Sequence, residues 1–201
     1  MGTLYTPWSI SPMDLTFLQA PVALTKSYER LPDGSVKKTS YPNVYEVTTH
    51  RANAADMKDF EQLLRTYASR SYCLVKGNPT RDLSRESRAG TTDSNATTDW
   101  VCFDVDGLAS TTPESFLSAL SLGDVSYTLQ YSGSYGIDNK DLRCHIFMQL
   151  DKPMPAPLLK QWLIELNLNT PLLDSALRLS KTGNALSWPL DISACQNDKL
   201  L

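Results

Sequence analysis

The segment "DWVCFDVDGL", residues 99–108, sets two aspartates, Asp104 and Asp106, two positions apart inside an apolar run. In a strand, residues i and i+2 share a face about 6.6 Å apart, so both carboxylates point one way while Phe103 and Val105 point into the core. Parallel carboxylates repel each other unless one is protonated or a cation bridges them. Magnesium suits such a pair, because it takes one or two carboxylates and leaves positions for water and substrate phosphates. The reading without chemistry is an edge strand that turns both acids to water.

A second chemistry-bearing segment is "LRCHIFMQL", residues 142–150. Alternation puts Arg143, His145, Phe147 and Gln149 on one face and Cys144, Ile146 and Met148 on the other. A lone histidine in a strand is usually structural. This one shares its face with an arginine and follows the polar, glycine-bearing "YSGSYGIDNKD".

The elements that must position these residues follow from their patterns. Residues 42–50 alternate as a strand, and "NAADMKDFEQLLRTYASRS", 53–71, carries Met57, Phe60, Leu63, Leu64 and Tyr67 at helical spacing behind an asparagine cap. Residues 72–77 read as a short strand closed by glycine, and the polar stretch 78–98 as a long loop of the kind that often carries function. After the acidic strand come a helix at 112–122 with a threonine cap and a proline behind it, strands within 125–136 and 142–150, an amphipathic helix at 158–168 and a last strand within 184–193. This mixed order predicts an α+β fold, one domain over 1–201 with an N-terminal α/β unit at 20–98 and a second unit at 99–195. The apolar ending "NDKLL" suggests a domain cut from a longer protein.

A net charge of −3 gives no global basic footprint for nucleic acid. Locally, Arg70, Lys76, Arg81, Arg85 and Arg88 stand against only Asp82 and Glu86, so a basic strip precedes the acidic pair. Cys73, Cys102, Cys144 and Cys195 lie far apart with no C-x-x-C pairing and read as buried thiols, not as a zinc site or disulfide scaffold. His50 reads as structural. No stretch approaches the roughly 18 consecutive apolar residues of a membrane span, and no basic-then-apolar leader opens the chain. A cytoplasmic protein without a membrane partner is expected.

An acidic pair on one strand, a polar glycine-bearing loop, then a strand carrying R-x-H resembles the archaeo-eukaryotic primase superfamily, in particular phage and plasmid primase domains. "DVD" matches its D-x-D, "RCHIF" stands in for its s-x-H, and "CLVKG" and "ESRAGTT" look like the segments that precede D-x-D in phage members. "FDVDG" also resembles the signature of haloacid dehalogenase-type phosphatases. It departs from that family in three ways: Leu108 stands where a threonine or similar small residue is expected, the motif lies past residue 100, and no Asp-Asp pair follows.

The primase resemblance implies a modified RNA-recognition-motif-like (RRM-like) antiparallel sheet at 99–195 and a nucleotidyltransferase using magnesium or manganese. Asp104 and Asp106 would hold the metals. Arg143 and His145 would meet the incoming triphosphate, arginine in a bidentate grip and histidine by a hydrogen bond, with Ser132 and Ser134 adding hydroxyls and amides. A third acid is expected after His145. Asp174 in "TPLLDSAL" is the first choice, and Asp191 in "WPLDIS" the alternative. Lys181 is a further phosphate candidate, and Lys76 and Arg88 would track nucleic acid. The implied partners are single-stranded DNA, nucleoside triphosphates and a replicative helicase domain or protein, in the host cytoplasm if phage-encoded. A catalytically inactive nucleic-acid-binding module of the same fold is the alternative from another class.

Overall fold

In this computed structural model, which describes residues 11–137, 141–180 and 182–201, β6 (Thr97–Leu108) is the strand on which both halves are built. Before it in chain order run β1 (Met13–Gln19), β2 (Ser27–Arg30), β3 (Val36–Thr39), β4 (Thr48–Ala54), α1 (Met57–Ala68) and β5 (Cys73–Val75). After it come α2 (Pro113–Ala119), β7 (Tyr127–Tyr131), β8 (Leu142–Pro155), α3 (Ala156–Asn169), α4 (Pro171–Asp174), β9 (Arg178–Leu179), β10 (Leu186–Ser187) and a 3-10 turn at Ile192–Cys195. The fold is α+β, with antiparallel sheets ordered β4-β1-β5 and β6-β8-β7 and two small hairpins, β2–β3 and β9–β10.

β6 is apolar on both faces over residues 100–103, and each face has its own cover. On the back, Val101, Phe103 and Val105 join Cys144, Ile146 and Met148 of β8 beneath Phe116 and Leu117 of α2 and Leu159 and Leu163 of α3. On the front, Trp100 and Cys102 join Phe147 against Met13, Leu15, Phe17, Phe60 and Leu74 of the N-terminal unit. Burying each large apolar side chain stabilises by about 1.5–3 kcal/mol, which is ample to fix the strand's register between the two layers. All four cysteines are buried free thiols.

The C-terminal segment stitches the sheets together. Leu190 bridges Val105, with Asp191 N donating to Asp104 O at 2.8 Å and Asp106 N to Pro189 O at 2.9 Å. Leu200 then bridges Val75, with Lys76 N on Lys199 O and Leu201 N on Leu74 O. One sheet thus reads, side by side, 189–191, β6, β8, β7.

Several elements differ from the sequence expectation. The ladder expected at 42–50 runs instead over Thr48–Ala54, where β1 supplies its partner; of the preceding stretch Val47 makes one bridge, to Glu86. Alternation marks extended chain, but only the partner strand says where the ladder runs. Asn53 pairs within that ladder, and α1 is capped by Asp56, whose carboxylate accepts from Lys58 N and Asp59 N at 2.9 Å. β1, which precedes residue 20, is the central strand of the N-terminal sheet. The strand expected within 184–193 is reduced to Leu186–Ser187 and the single bridge at Leu190. α2, with its Thr112 cap and proline at the first turn, matches the expectation. Among the described residues no helix is long and apolar enough to cross a membrane.

Candidate active site

The N-terminal layer covers the front of the sheet only as far as Cys102 and Phe147. Beyond them the same faces carry Asp104 and Asp106 on β6, and His145 and Arg143 on β8, onto the floor of a cavity of about 610 Å³. The register sets these residues directly opposite each other, Asp104 facing His145 and Asp106 facing Arg143. His145 Nε2 lies 3.5 Å from Asp104 Oδ1, both side chains about one-fifth exposed (20% and 21%). Arg143 Nη1 pairs with Asp106 Oδ1. Gly107 has φ +86° at the register shift between the Asp106–Arg143 and Leu108–Leu142 pairs, and a Cβ there would come 3.0 Å from Arg143 Nη2. Glycine thus supplies both the left-handed backbone and the room for the guanidinium.

β7 adds a third layer to this floor. Gln130 stands opposite His145, its Oε1 3.4 Å from Nδ1. Ser132 and Ser134 line the cavity just beyond, their hydroxyls 3.1 Å apart, and Ser132 N donates to Arg143 O.

The C-terminal segment brings Asp191 into the cavity beside Asp104. Its carboxylate accepts from Ser193 N and Ser193 Oγ at 2.8 Å and from Lys199 Nζ at 2.9 Å. Burial opposes ionisation of Asp191, but the hydrogen bonds from Lys199 and Ser193 outweigh it and hold the carboxyl below its ordinary value. Burial likewise pulls the Lys199 ammonium down, and its bond to Asp191 with the nearby Asp104 charge reverses the balance, so it stays firmly protonated.

Asp174, the first choice for a third acid, is exposed at the end of α4. Its neighbour Leu173 packs into the helix-covered back core, so this segment lies behind the sheet whose front holds the floor. Lys181 falls outside the described residues. Lys76 is a correction to the sequence reading: it is 1% exposed, donates to Thr98 Oγ1 and Trp100 O, and lies 4.3 Å over the Trp100 ring. It holds the two layers together and is not available to a nucleic acid at the surface. Arg88 donates to Asp198 O and lines an adjoining cavity of about 320 Å³ together with Lys26, Tyr41 and Lys199. His50, on β4, faces Gln19 at 3.2 Å and packs at 4.8 Å on the Tyr72 ring, a structural setting. Cys73 also lines the cavity, but burial pushes its thiol up to about 11, so it remains protonated and a poor nucleophile.

Residue patterns alone missed three participants. Gln130 and Lys199 carry no local signal, since each gains its place only through the strand beside it. The β2–β3 hairpin, whose Lys26, Tyr28 and Lys38 form a cavity wall around their strands, was signalled by "LPDGS", a turn sequence between two short polar strands.

The three carboxylates at this cavity, Asp104, Asp106 and Asp191, are hard oxygen donors of the kind magnesium or manganese prefers. Among the described residues no three His, Cys, Asp or Glu side chains already converge as a ligand set. Compared with known proteins, the chain matches no family model, no curated protein and no solved structure.

Proposed function

We propose that this cavity performs template-directed nucleotidyl transfer on single-stranded DNA, the primase-polymerase activity suggested by the resemblance to the archaeo-eukaryotic primases. The observation that carries the reading is the pairing of Asp104 with His145 and of Asp106 with Arg143 on one open face, with Asp191 beside them. The order of the sheet supports it too. Segment 189–191, β6, β8, β7, with α2 and α3 on one side, follows the β-α-β-β-α-β course of an RRM-like sheet.

Asp104 and Asp106, joined by Asp191, would hold magnesium or manganese. A divalent ion there lowers the pKa of an attacking 3′-hydroxyl and neutralises charge on the departing pyrophosphate. The chain's own residues do the rest. Arg143, at the floor's edge, offers a planar fork to phosphate oxygens, and His145, beside Gln130, offers a ring nitrogen. Ser132 and Ser134 supply hydroxyls beside them, and Lys199 supplies a fixed positive charge. Binding then requires Arg143 and Lys199 to exchange carboxylate partners for phosphates.

A binding module that has lost catalysis is the second reading. It is favoured by one observation: Asp106 and Asp191 already have cationic partners, Arg143 and Lys199, and Asp104 faces the His145 ring. Incubation with a single-stranded template, labelled nucleotides and manganese separates the two. Labelled oligomers from the wild type, absent with a folded Asp104→Ala protein, support transfer; a product-free gel with intact strand binding supports the module. Release of phosphate from a small phosphoester points to a phosphatase instead.

A further inference from the structure

We infer that the β2–β3 hairpin is the wall along which a single strand of DNA runs past the acidic floor. The choice of partner rests on the nucleotidyl-transfer reading; the wall itself is a matter of geometry and charge.

Alternation divides the hairpin's side chains. Tyr28 pairs with Lys38 and Arg30 with Val36 on one face, and Lys26, just before β2, falls in line with them; Glu29 and Lys37 face the other way. Lys26, Tyr28 and Lys38 all line the large cavity, so the face turned inward carries cations and an aromatic ring, and the hairpin's acid in β2 is turned out. Arg30 reaches across to the Ile137 carbonyl, and the Tyr28 ring lies against Gly133, close enough that an added Cβ would be 3.5 Å away. The hairpin therefore spans the cavity from its own wall to the loop that carries Ser132 and Ser134.

The cationic lining continues past it. Lys26 and Tyr41 are shared with the adjoining cavity, where Arg88 and Lys199 add charge and Asp198 is the acid present. Cations alternating with aromatic rings, here half-buried Tyr28 and exposed Tyr41, are the kind of surface that single strands use: phosphates meet the cations, and unpaired bases stack on the rings. Bases in a duplex are already stacked and paired, so Tyr28 and Tyr41 select for the single strand. With acids on the floor and cations on the wall, the strand is held where its bases can face an incoming nucleotide.

The test is fluorescence anisotropy of a short labelled oligodeoxynucleotide with the full chain in EDTA, so that no metal-dependent step contributes. Lys26→Ala/Lys38→Ala should weaken binding at least about tenfold and lower the salt slope by about 1.4, two single-strand phosphate contacts at roughly 0.7 each. Tyr28→Ala should weaken it at least about fivefold, and Tyr28→Phe should restore it. Glu29→Gln, on the outward face of the hairpin, should bind the strand as the wild type does. Inward-face hairpin variants that are folded by circular dichroism yet keep wild-type affinity and slope overturn the inference, as does equal affinity for duplex. Loss of strand binding in these variants, from a wild type that makes no labelled product with manganese, upholds the wall and rejects the transfer reading. Product formation with inward-face variants that bind normally does the reverse.

Discussion

His145 stands opposite Asp104 in the pairing of β8 with β6, its Nε2 3.5 Å from Oδ1, while its Nδ1 faces Gln130 of β7 at 3.4 Å. Three neighbouring strands bring a carboxylate, an imidazole and an amide to one level. Backbone register fixes that level, and a slip of one residue in any strand would send its side chain to the other face. Gln130 is therefore placed to orient the ring. Gln130→Ala is predicted to lower turnover roughly tenfold and to change its pH profile, with little change in melting temperature. Assays across pH with thermal melts check this; unchanged kinetics would show that the amide positions nothing.

Arg143 pairs with Asp106, whose side chain is 66% exposed. A pair this open to water contributes at most about 1 kcal/mol to stability, so Arg143→Ala should barely shift the melting temperature. Its effect should instead fall on ligand binding. Triphosphate affinity should fall about tenfold, and Arg143→Lys should recover only part of it, because an ammonium lacks the planar fork. Calorimetric titration of a triphosphate against the three proteins measures both effects.

Asp191 and Asp174 separate cleanly. Asp191→Asn should cut activity about a hundredfold or more, whereas Asp174→Asn, behind the sheet, should stay within about twofold. Asp191 also predicts a pH effect. Its folded-state pKa is lowered, so the folded chain binds that proton less tightly than the unfolded chain does. The stability it contributes is present above the ordinary carboxylate value and is lost as pH falls through the lower folded value. Asp191→Asn should therefore be less stable than the wild type near neutrality, with the gap closing in acid, as followed by urea unfolding.

What the sequence made legible were features written in two-residue alternation and local capping. The shared face of Asp104 and Asp106, the shared face of Arg143 and His145, and the Thr112-capped helix follow from neighbours along the chain. The choice between Asp174 and Asp191 did not, because both follow apolar pairs and only the bridge of Leu190 to Val105 decides which one reaches the floor. Lys76 was misread for a related reason. Composition counts a lysine as surface charge, while the fold closes Trp100, Thr98 and the C-terminal segment around this one.

That burial carries its own prediction. Desolvation brings the Lys76 ammonium down to about 7, while the unfolded chain keeps the proton up to about 10.4. Between those values the unfolded state binds more protons, so this residue makes stability rise with pH. The unfolding free energy of Lys76→Met minus that of the wild type should accordingly fall as pH rises across that window, by up to about 1.4 kcal/mol per unit. Urea unfolding of both proteins across the window reads the difference; a flat one would show that Lys76 keeps its proton or reaches water.

In the proposed reaction the acidic floor and the cations around it share one metal-bound triphosphate. The most direct test is the affinity of a nucleoside triphosphate measured with and without manganese. The wild type should bind at least about tenfold more tightly with the metal, and Asp104→Asn/Asp106→Asn should lose that gain while remaining folded. Equal affinity with and without manganese in the wild type, or a gain that survives in the double variant, would rule out a shared metal-bound triphosphate.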